Sequence, residues 1–381
     1  MDFAFGDEQD ELRRTVRAFL ADTSPETQTR RLMERPEGFD RALWRRMGTE
    51  LGLQGLAVPE EYGGAGCGPV EVGVVMEELG RALVCAPFLS SAVLATTTLL
   101  RCADEDARKR LLPGLASGEL VGTLALTEDS ARWDATGVQL NARASEGRWL
   151  LTGHKTFVLD GAAADVVLTV ARTDDGIGVF WVDGDAAGLT RSPLPTMDPT
   201  RRQARLDYDD VPATRLRTGH GDGWDLVSQV LDRAAVALAA EQVGVASRAL
   251  DMAVEYAKVR HQFGRPIGSF QAVKHLLADV LLEVESARAA AHFALLAAAN
   301  EDPELPAVAS LAKAFCSDAC LQATAENIQV HGGIGFTWEH PAHLYLKRAK
   351  TSQLLFGDPA YHRELLARRI GLDTVTAEGA A

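Results

Sequence analysis

The sequence predicts an α+β fold in three consecutive parts: an N-terminal helical domain, a central β-domain and a C-terminal four-helix bundle. Three observations carry this prediction. Apolar residues recur at helical spacing through residues 1–120; short β-rich segments parted by glycine, aspartate and proline turns fill 121–218; the helical period then returns over 219–371. Residues 372–381 read as a flexible tail.

Over residues 7–22, Leu12, Val16, Phe19 and Leu20 fall on one helical face, so the first element is an amphipathic helix. FDRALWRRMGTELGL predicts the second, stopped by a glycine-rich stretch in which Pro59, Gly63 and Gly64 cannot continue it. VEVGVVMEELGRAL and FLSSAVLATTTLLRC read as longer, more buried helices, and DEDARKRLLPGLASGEL as a shorter one ending before Gly118. In the β-domain, VGTLAL, GVQLNARASEGRWLLTG, TFVL, ADVVLTVAR, IGVFWVD and RRQARLDYDDV are the strand-like segments. A long helical stretch from Gly223, two more around SFQAVKHLLADVL and PAVASLAKAFC, and a final one to about 370 complete the bundle.

The chain has 381 residues, 46% of them hydrophobic and 24% charged, with no apolar run approaching the roughly 20 residues that a bilayer requires. Membrane insertion is therefore not expected. A formal charge of −14 repels nucleic-acid phosphates and excludes a nucleic-acid partner. The N-terminal stretch is acidic and lacks an apolar signal-like core, so the expected location is cytoplasmic. The five cysteines are odd in number and scattered, as free thiols are. Cys316 and Cys320 share a helix face, but the nearest histidine, His331, lies beyond the helix end, so no metal site is expected. His331, His340 and His343 sit in a turn and early helix, where hydrogen bonding is the expected role.

Two motifs point to chemistry: YAKVRHQFGRPIGSFQ at 256–271 and QVHGGIGF at 329–336. With these at their spacing inside the α-β-α order, residues 1–370 resemble the acyl-CoA dehydrogenase family. The resemblance implies FAD, an acyl-CoA thioester substrate and a tetramer built as a pair of dimers. It implies loss of the α-proton and transfer of the β-hydrogen as hydride to flavin N5, giving a 2-enoyl-CoA, with electrons passing to electron-transferring flavoprotein or an equivalent acceptor. By resemblance, Arg260, Gln262, Phe263 and Gln271 hold the FAD of the neighbouring subunit. Those residue types suit the task, since Arg260 offers a fixed fork of donors to a pyrophosphate and Phe263 can cover an aromatic surface. Gln329, Gly332 and Gly333 match the other cofactor segment, where bare backbone can approach phosphate or adenosine. The plainer alternative is a helix-to-loop turn using glycine for left-handed dihedrals.

In the β-domain the resemblance places Leu126 and Thr127 of LALTEDSARWD at the flavin edge, and puts Trp133 where the family has a pyrophosphate-binding serine. In GHKTFVLDG, Phe157 stands in place of a tryptophan beside the isoalloxazine ring, followed by Val158 and Leu159. A phenyl ring keeps the apolar face and loses the indole donor. An ordinary inward-facing strand residue is the alternative for Phe157.

The family's catalytic glutamate falls on Phe356, and the other location used in the family, on the first helix of the bundle, falls on Ala234. Neither can accept a proton. Glu241, seven positions beyond Ala234 and about 10 Å along the helix, is the candidate base, with pairing to a cation such as Arg248 as its alternative role. Asp232 and Arg233 are ion-pair or substrate-proximal candidates, and Asp198 is a loop carboxylate that could approach the site from the β-domain. Three explanations stay open: a migrated carboxylate; an α2β2 assembly with a base-bearing homologue, as in actinobacterial steroid side-chain acyl-CoA dehydrogenases; or a different flavin reaction or a noncatalytic flavin- or acyl-CoA-binding role without α,β-desaturation. A homotetramer is the assembly expected for the first. The run LKRAK, with Lys347, Arg348 and Lys350, reads as a solvated or subunit-facing surface, with CoA phosphate binding as the alternative.

Overall fold

The structure, a computed structural model, describes residues 6–219 and 222–372, so the expected tail lies outside it apart from Leu372. The chain divides into two compact units. Unit 1 takes the chain up to Thr29, Pro69–Val84 and everything from Ala235; unit 2 takes Arg30–Gly68 and Cys85–Ala234. Among the described residues no helix is long and apolar enough to cross a membrane.

The first helix, α1, is Asp7–Thr23, and α2, Glu26–Met33, follows it before α3, Arg41–Thr49. The sequence reading missed α2: its eight residues include Thr27, Thr29 and two arginines, and they carry too few apolar positions to register a period. Asp40 caps α3, its carboxylate accepting from the Ala42 and Leu43 amides. The segment expected as one buried helix from Phe88 is wound in two ways, a π-helical stretch over Phe88–Ala95 and then α5, Thr96–Arg101. Before them in sequence comes α4, Pro69–Arg81, and after them α6, Glu105–Ala116.

Unit 2 holds seven strands: β1 Gly122–Ala125, β2 Asn141–Ser145, β3 Arg148–Leu159, β4 Val166–Thr173, β5 Gly176–Asp183, β6 Leu189–Pro193 and β7 Gln203–Arg215. The path β4–β2–β3–β7–β5 returns to β4 through the β4–β5 ladder, so the sheet closes on itself, with β1 parallel on β4 and β6 antiparallel on β7. Closure explains why β4 is buried along nearly its whole length and reads as a continuous apolar run. Strand β6 was not expected. Its sequence, LTRSP, is largely exposed and shows no apolar alternation, and only pairing with β7 makes it a strand.

Unit 1 contains α1, α4, the part of α7 (Gly223–Val259) from Ala235, α8 (Gln271–Ala299), α9 (Leu305–His331), α10 (Ala342–Leu354) and α11 (Pro359–Arg369). The last helical stretch of the expected bundle is thus broken in two at Leu355–Asp358. Helices α4 and α7 cross backbone to backbone. A Cβ on Gly80 would run into the Glu241 carbonyl, and one on Gly244 into the carbonyl of Glu77. Helix α4 also offers Glu77 and Glu78, both buried, to Arg13 and Arg17 of α1 at 2.7 to 3.3 Å.

Because the α4 backbone cannot step back without disturbing these buried pairs, Gly244→Ala should destabilise the protein by about 1–3 kcal/mol or more. Thermal unfolding of the purified protein reads this as a lowered melting temperature. An unchanged melting temperature would mean that the crossing relaxes freely.

Candidate functional site

The two motifs singled out in the sequence meet in unit 1. Helix α7 ends at Val259, and the chain turns through a two-stranded hairpin, β8 (His261–Gln262) and β9 (Arg265–Pro266). Phe263 and Gly264 form its tip with positive φ of 54° and 76°, the geometry of a two-residue hairpin turn. The hairpin is tied back by the Ile267 amide donating to the Arg260 carbonyl at 2.7 Å, and the Arg260 amide donates to Tyr256 at 2.9 Å. Arg260, Gln262 and Gln271 are exposed, and Phe263 is 90% exposed.

The second motif ends α9. Gly332 has φ 63°, which accounts for a glycine at the helix end without any ligand. Gly333 has no such requirement, and a Cβ on either glycine would meet nothing of this chain within 4 Å. Gln329, Gly332 and Gly333 are all exposed. The Tyr256 ring lies against His331 with centroids 4.3 Å apart, joining the two motifs. Around them Val259, Phe336 (78% exposed) and Trp338 (63% exposed) leave apolar surface open.

Phe356 stands in the break between α10 and α11, buried, with φ 62°. A left-handed phenylalanine costs on the order of 1–3 kcal/mol, so the surroundings must hold it. They do so from below. Lys313 of α9, fully buried, donates to the carbonyls of Gln353 (3.1 Å) and Gly357 (3.2 Å) and to Ser317 Oγ (2.9 Å). His362 Nε2 donates to the Phe356 carbonyl at 3.0 Å. Burial pushes the Lys313 ammonium down to about 7 and, with Lys313 nearby, the His362 imidazole down to about 3. His362 is therefore neutral at physiological pH.

Glu241 is also in unit 1 and buried. Its partner is Arg348, at 3.1 Å, with both side chains only 4% exposed, and not the Arg248 named as the alternative. Arg348 also donates to the Val84 carbonyl, so this member of the LKRAK run is interior, contrary to the surface expectation. Lys347 sits over the Trp338 ring, and Lys350 donates to Gln353.

In unit 2 the flavin-edge candidates lie on β3 and just after β1. The β3–β7 register shifts between Lys155 and Val158, and at this bulge Phe157 takes φ 56° and turns outward, 45% exposed. It is thus not an inward strand residue. Val158 and Leu159 point into the core, so their side chains offer nothing to a ligand. Thr127 Oγ1 donates to the Thr156 carbonyl at 2.7 Å, and the Thr156 amide donates to the Thr127 carbonyl at 2.9 Å. Beneath Leu126 and Thr127 lies a group the sequence reading overlooked: buried Lys155 donates to the Leu126 carbonyl (2.8 Å) and to Glu128 (2.7 Å). Glu128 Oε1 also accepts the Gln139 and Leu140 amides at 2.9 Å. Burial lowers Lys155 to about 8, whereas burial of Glu128 is outweighed by Lys155 and those amides, which hold its carboxyl below the ordinary value. The pair is ionised at neutral pH.

Ala234 and Asp232 are buried, and Arg233 donates to the Gln229 carbonyl one turn earlier at 3.4 Å. Asp198 is fully buried, where its carboxylate accepts from the Thr200 amide and hydroxyl; it opens onto no solvent. Lys313 had a faint sequence signal, a single lysine inside an otherwise apolar helical pattern, whereas Lys155, between His154 and Thr156, had none. Cys67 is exposed, and Cys85, Cys102, Cys316 and Cys320 are buried.

Comparison with known proteins adds to this geometry. Models described as the N-terminal, middle and C-terminal domains of acyl-CoA dehydrogenase match residues 6–119, 123–211 and 221–371. The acyl-CoA dehydrogenase IpdE2 of Mycobacterium tuberculosis (strain ATCC 25618 / H37Rv) is 38% identical over 362 residues, 95% of this chain and 96% of that protein. A solved variant of the Tcur3481-Tcur3483 steroid ACAD is 32% identical with a TM-score of 0.88, over 97% of this chain and 99% of that one. The ChsE4-ChsE5 complex from Mycobacterium tuberculosis contains a chain 30% identical, TM-score 0.88, with 100% of each chain covered.

The depressed Lys313 value sets a pH dependence. Between about pH 7 and the ordinary lysine value near 10.5, the unfolded chain holds this proton and the folded chain does not, so stability rises with pH across that window. Lys313→Met removes the contribution. Thermal melts at pH 7 and pH 9 should therefore show wild type gaining on the variant by about 2 kcal/mol as pH rises; a constant difference would mean that Lys313 stays charged.

Proposed function

This chain belongs to the acyl-CoA dehydrogenase family, and from that premise we propose that it is one subunit type of an FAD-dependent, α2β2 dehydrogenase that desaturates an acyl-CoA thioester, the catalytic base coming from a homologous partner. The observation that carries the reading is Phe356. A phenylalanine occupies the turn where the resemblance expects a glutamate, and Lys313 and His362 hold that turn in a defined left-handed geometry.

The cofactor of the family is FAD, which when bound accepts hydride at its flavin. Residues of this chain suit it. Gly333 has no conformational need to be glycine, and no part of its own chain would crowd a side chain there, so a close approach by something outside the chain explains it. Arg260 and Gln262 on the hairpin, with Gln271, would hold the pyrophosphate and adenosine side of a neighbouring subunit's FAD, and Gln329, Gly332 and Gly333 would complete that contact. Phe263, at the exposed hairpin tip, would lie against the cofactor's aromatic surface. Phe157, turned out by the bulge, would pack against the ring system, and the Lys155–Glu128 pair would fix the Leu126–Thr127 backbone beside it.

Removal of an α-proton needs a carboxylate within hydrogen-bond reach or one water away. Glu241 is a poor base in this reading, because its carboxylate is buried and already engaged by Arg348 at 3.1 Å. The apolar surface of Val259, Phe263, Phe336 and Trp338 favours burial against another chain. The steroid and two-component names of the relatives support a bulky, steroid-type acyl group and a heteromeric assembly. Electrons would leave to electron-transferring flavoprotein or an equivalent acceptor.

The test is to purify the chain alone and co-expressed with a homologue that carries the glutamate, then measure FAD content and enoyl-CoA formation. Turnover should appear only in the co-expressed assembly. Robust turnover by the chain alone would overturn the partner requirement; loss of that turnover in Glu241→Gln with FAD retained would transfer the base role to Glu241. Gly333→Ala should leave the melting temperature of the stripped protein unchanged and lower FAD occupancy of the assembly several-fold.

A further inference from the structure

The end of unit 1 that carries the two motifs also carries three rings in contact with one another. Tyr256, in the last turn of α7, stacks on His331 at 4.3 Å with planes 29° apart, and His331 in turn lies 4.1 Å from His340. The middle ring is buried and oriented: His331 Nδ1 donates to the Asn327 carbonyl at 2.8 Å. The outer imidazole is oriented as well, since His340 Nδ1 accepts the Ala342 amide at 3.2 Å. Each imidazole is thus anchored by a hydrogen bond to backbone, so the three rings form an oriented spacer between elements.

What the spacer separates gives it a function. Tyr256 is one helical turn before Arg260 and accepts the Arg260 amide on its carbonyl, and Arg260 accepts the Ile267 amide that closes the hairpin. His331 immediately precedes Gly332 and Gly333. The Tyr256–His331 contact joins the helix leading into the RHQFG hairpin to the HGGIGF turn. Gly332 and Gly333 are exposed, with nothing of this chain within 4 Å of a Cβ on either, while Gly335 behind them is buried against His331.

We propose that Tyr256, His331 and His340 are positioning residues for FAD: their stack sets the spacing between the Arg260 hairpin and the Gly332–Gly333 turn so that both can engage one cofactor. The proposal rests on the assignment of those two segments to FAD made above. It adds that affinity depends on ring stacking at residues that need not touch the cofactor.

The experiment measures FAD dissociation constants of the purified, stripped assembly by flavin fluorescence, beside melting temperatures. Tyr256→Leu should weaken FAD roughly tenfold and Tyr256→Phe, which keeps the ring, less than about twofold. Rescue by phenylalanine separates stacking from the hydroxyl. Should Tyr256→Leu fail to fold, His340→Ala, at the partly exposed end of the stack, gives the same reading with an expected loss of several-fold. A lowered melting temperature with unchanged FAD affinity in these variants would reduce the stack to structural packing and overturn the proposal. Arg260→Met and Gly333→Ala are measured in parallel. If they weaken FAD and the stack variants do not, the stack proposal alone fails; if they too leave FAD unaffected, the assignment of the two segments is what fails.

Discussion

The crossing of α4 and α7 is the constraint on which the rest of unit 1 depends. Gly80 and Gly244 bring two backbones into contact where any side chain would overlap a carbonyl. Beside this crossing α4 carries two acids inside the protein. Glu77 and Glu78 then require the arginines of α1 and Arg288 of α8. On the α7 side, Glu241 lies at the crossing itself and is neutralised by Arg348 of α10. Removing one member of such a buried pair leaves a charge without compensation, so these residues form one mutually dependent set.

That dependence reaches the turn bearing Phe356. Helix α10 is fixed at its middle by Arg348 and at its C-terminus by Lys313, which also grips Gly357 beyond it. A lysine at the C-terminal end of a helix is favourable for the helix dipole, yet here burial opposes its charge, and the result is an amine near its neutral state. The turn is therefore built as firmly as a catalytic turn would need to be, while holding a side chain that cannot transfer a proton. That combination, a firmly held turn without a proton acceptor, is what supports the proposal that a partner supplies the base.

Unit 2 reaches a comparable result by a different route. The closed sheet leaves little freedom to β3, and the bulge at Phe157 is the local exception that turns one ring outward. The Lys155–Glu128 pair below it organises the Leu126–Thr127 backbone and two amides of the following loop with a single pair of side chains. In both units, then, buried charge positions backbone, and the groups presented outward are aromatic rings, glycines and an arginine.

Much of this was legible in the sequence. Periodicity gave the α-β-α order because the long helices and the buried strands are strongly patterned, and motif spacing located both segments around Arg260 and Gly332 before any coordinates. The same reasoning could not see α2 or β6, whose short polar sequences adopt their structure through neighbours and not through their own pattern. It offered Val158 and Leu159 as ligand contacts because it could not see which strand residue the bulge would turn outward. It assigned Glu241 an alternative partner one hundred residues too early, since Arg248 is near in sequence and Arg348 is near only after α10 packs on the bundle. Residue identity alone determined that Phe356 and Ala234 cannot accept a proton. Only the tertiary structure decided that Glu241 is already paired, because an ion pair depends on distance and burial, and neither is a property of sequence spacing.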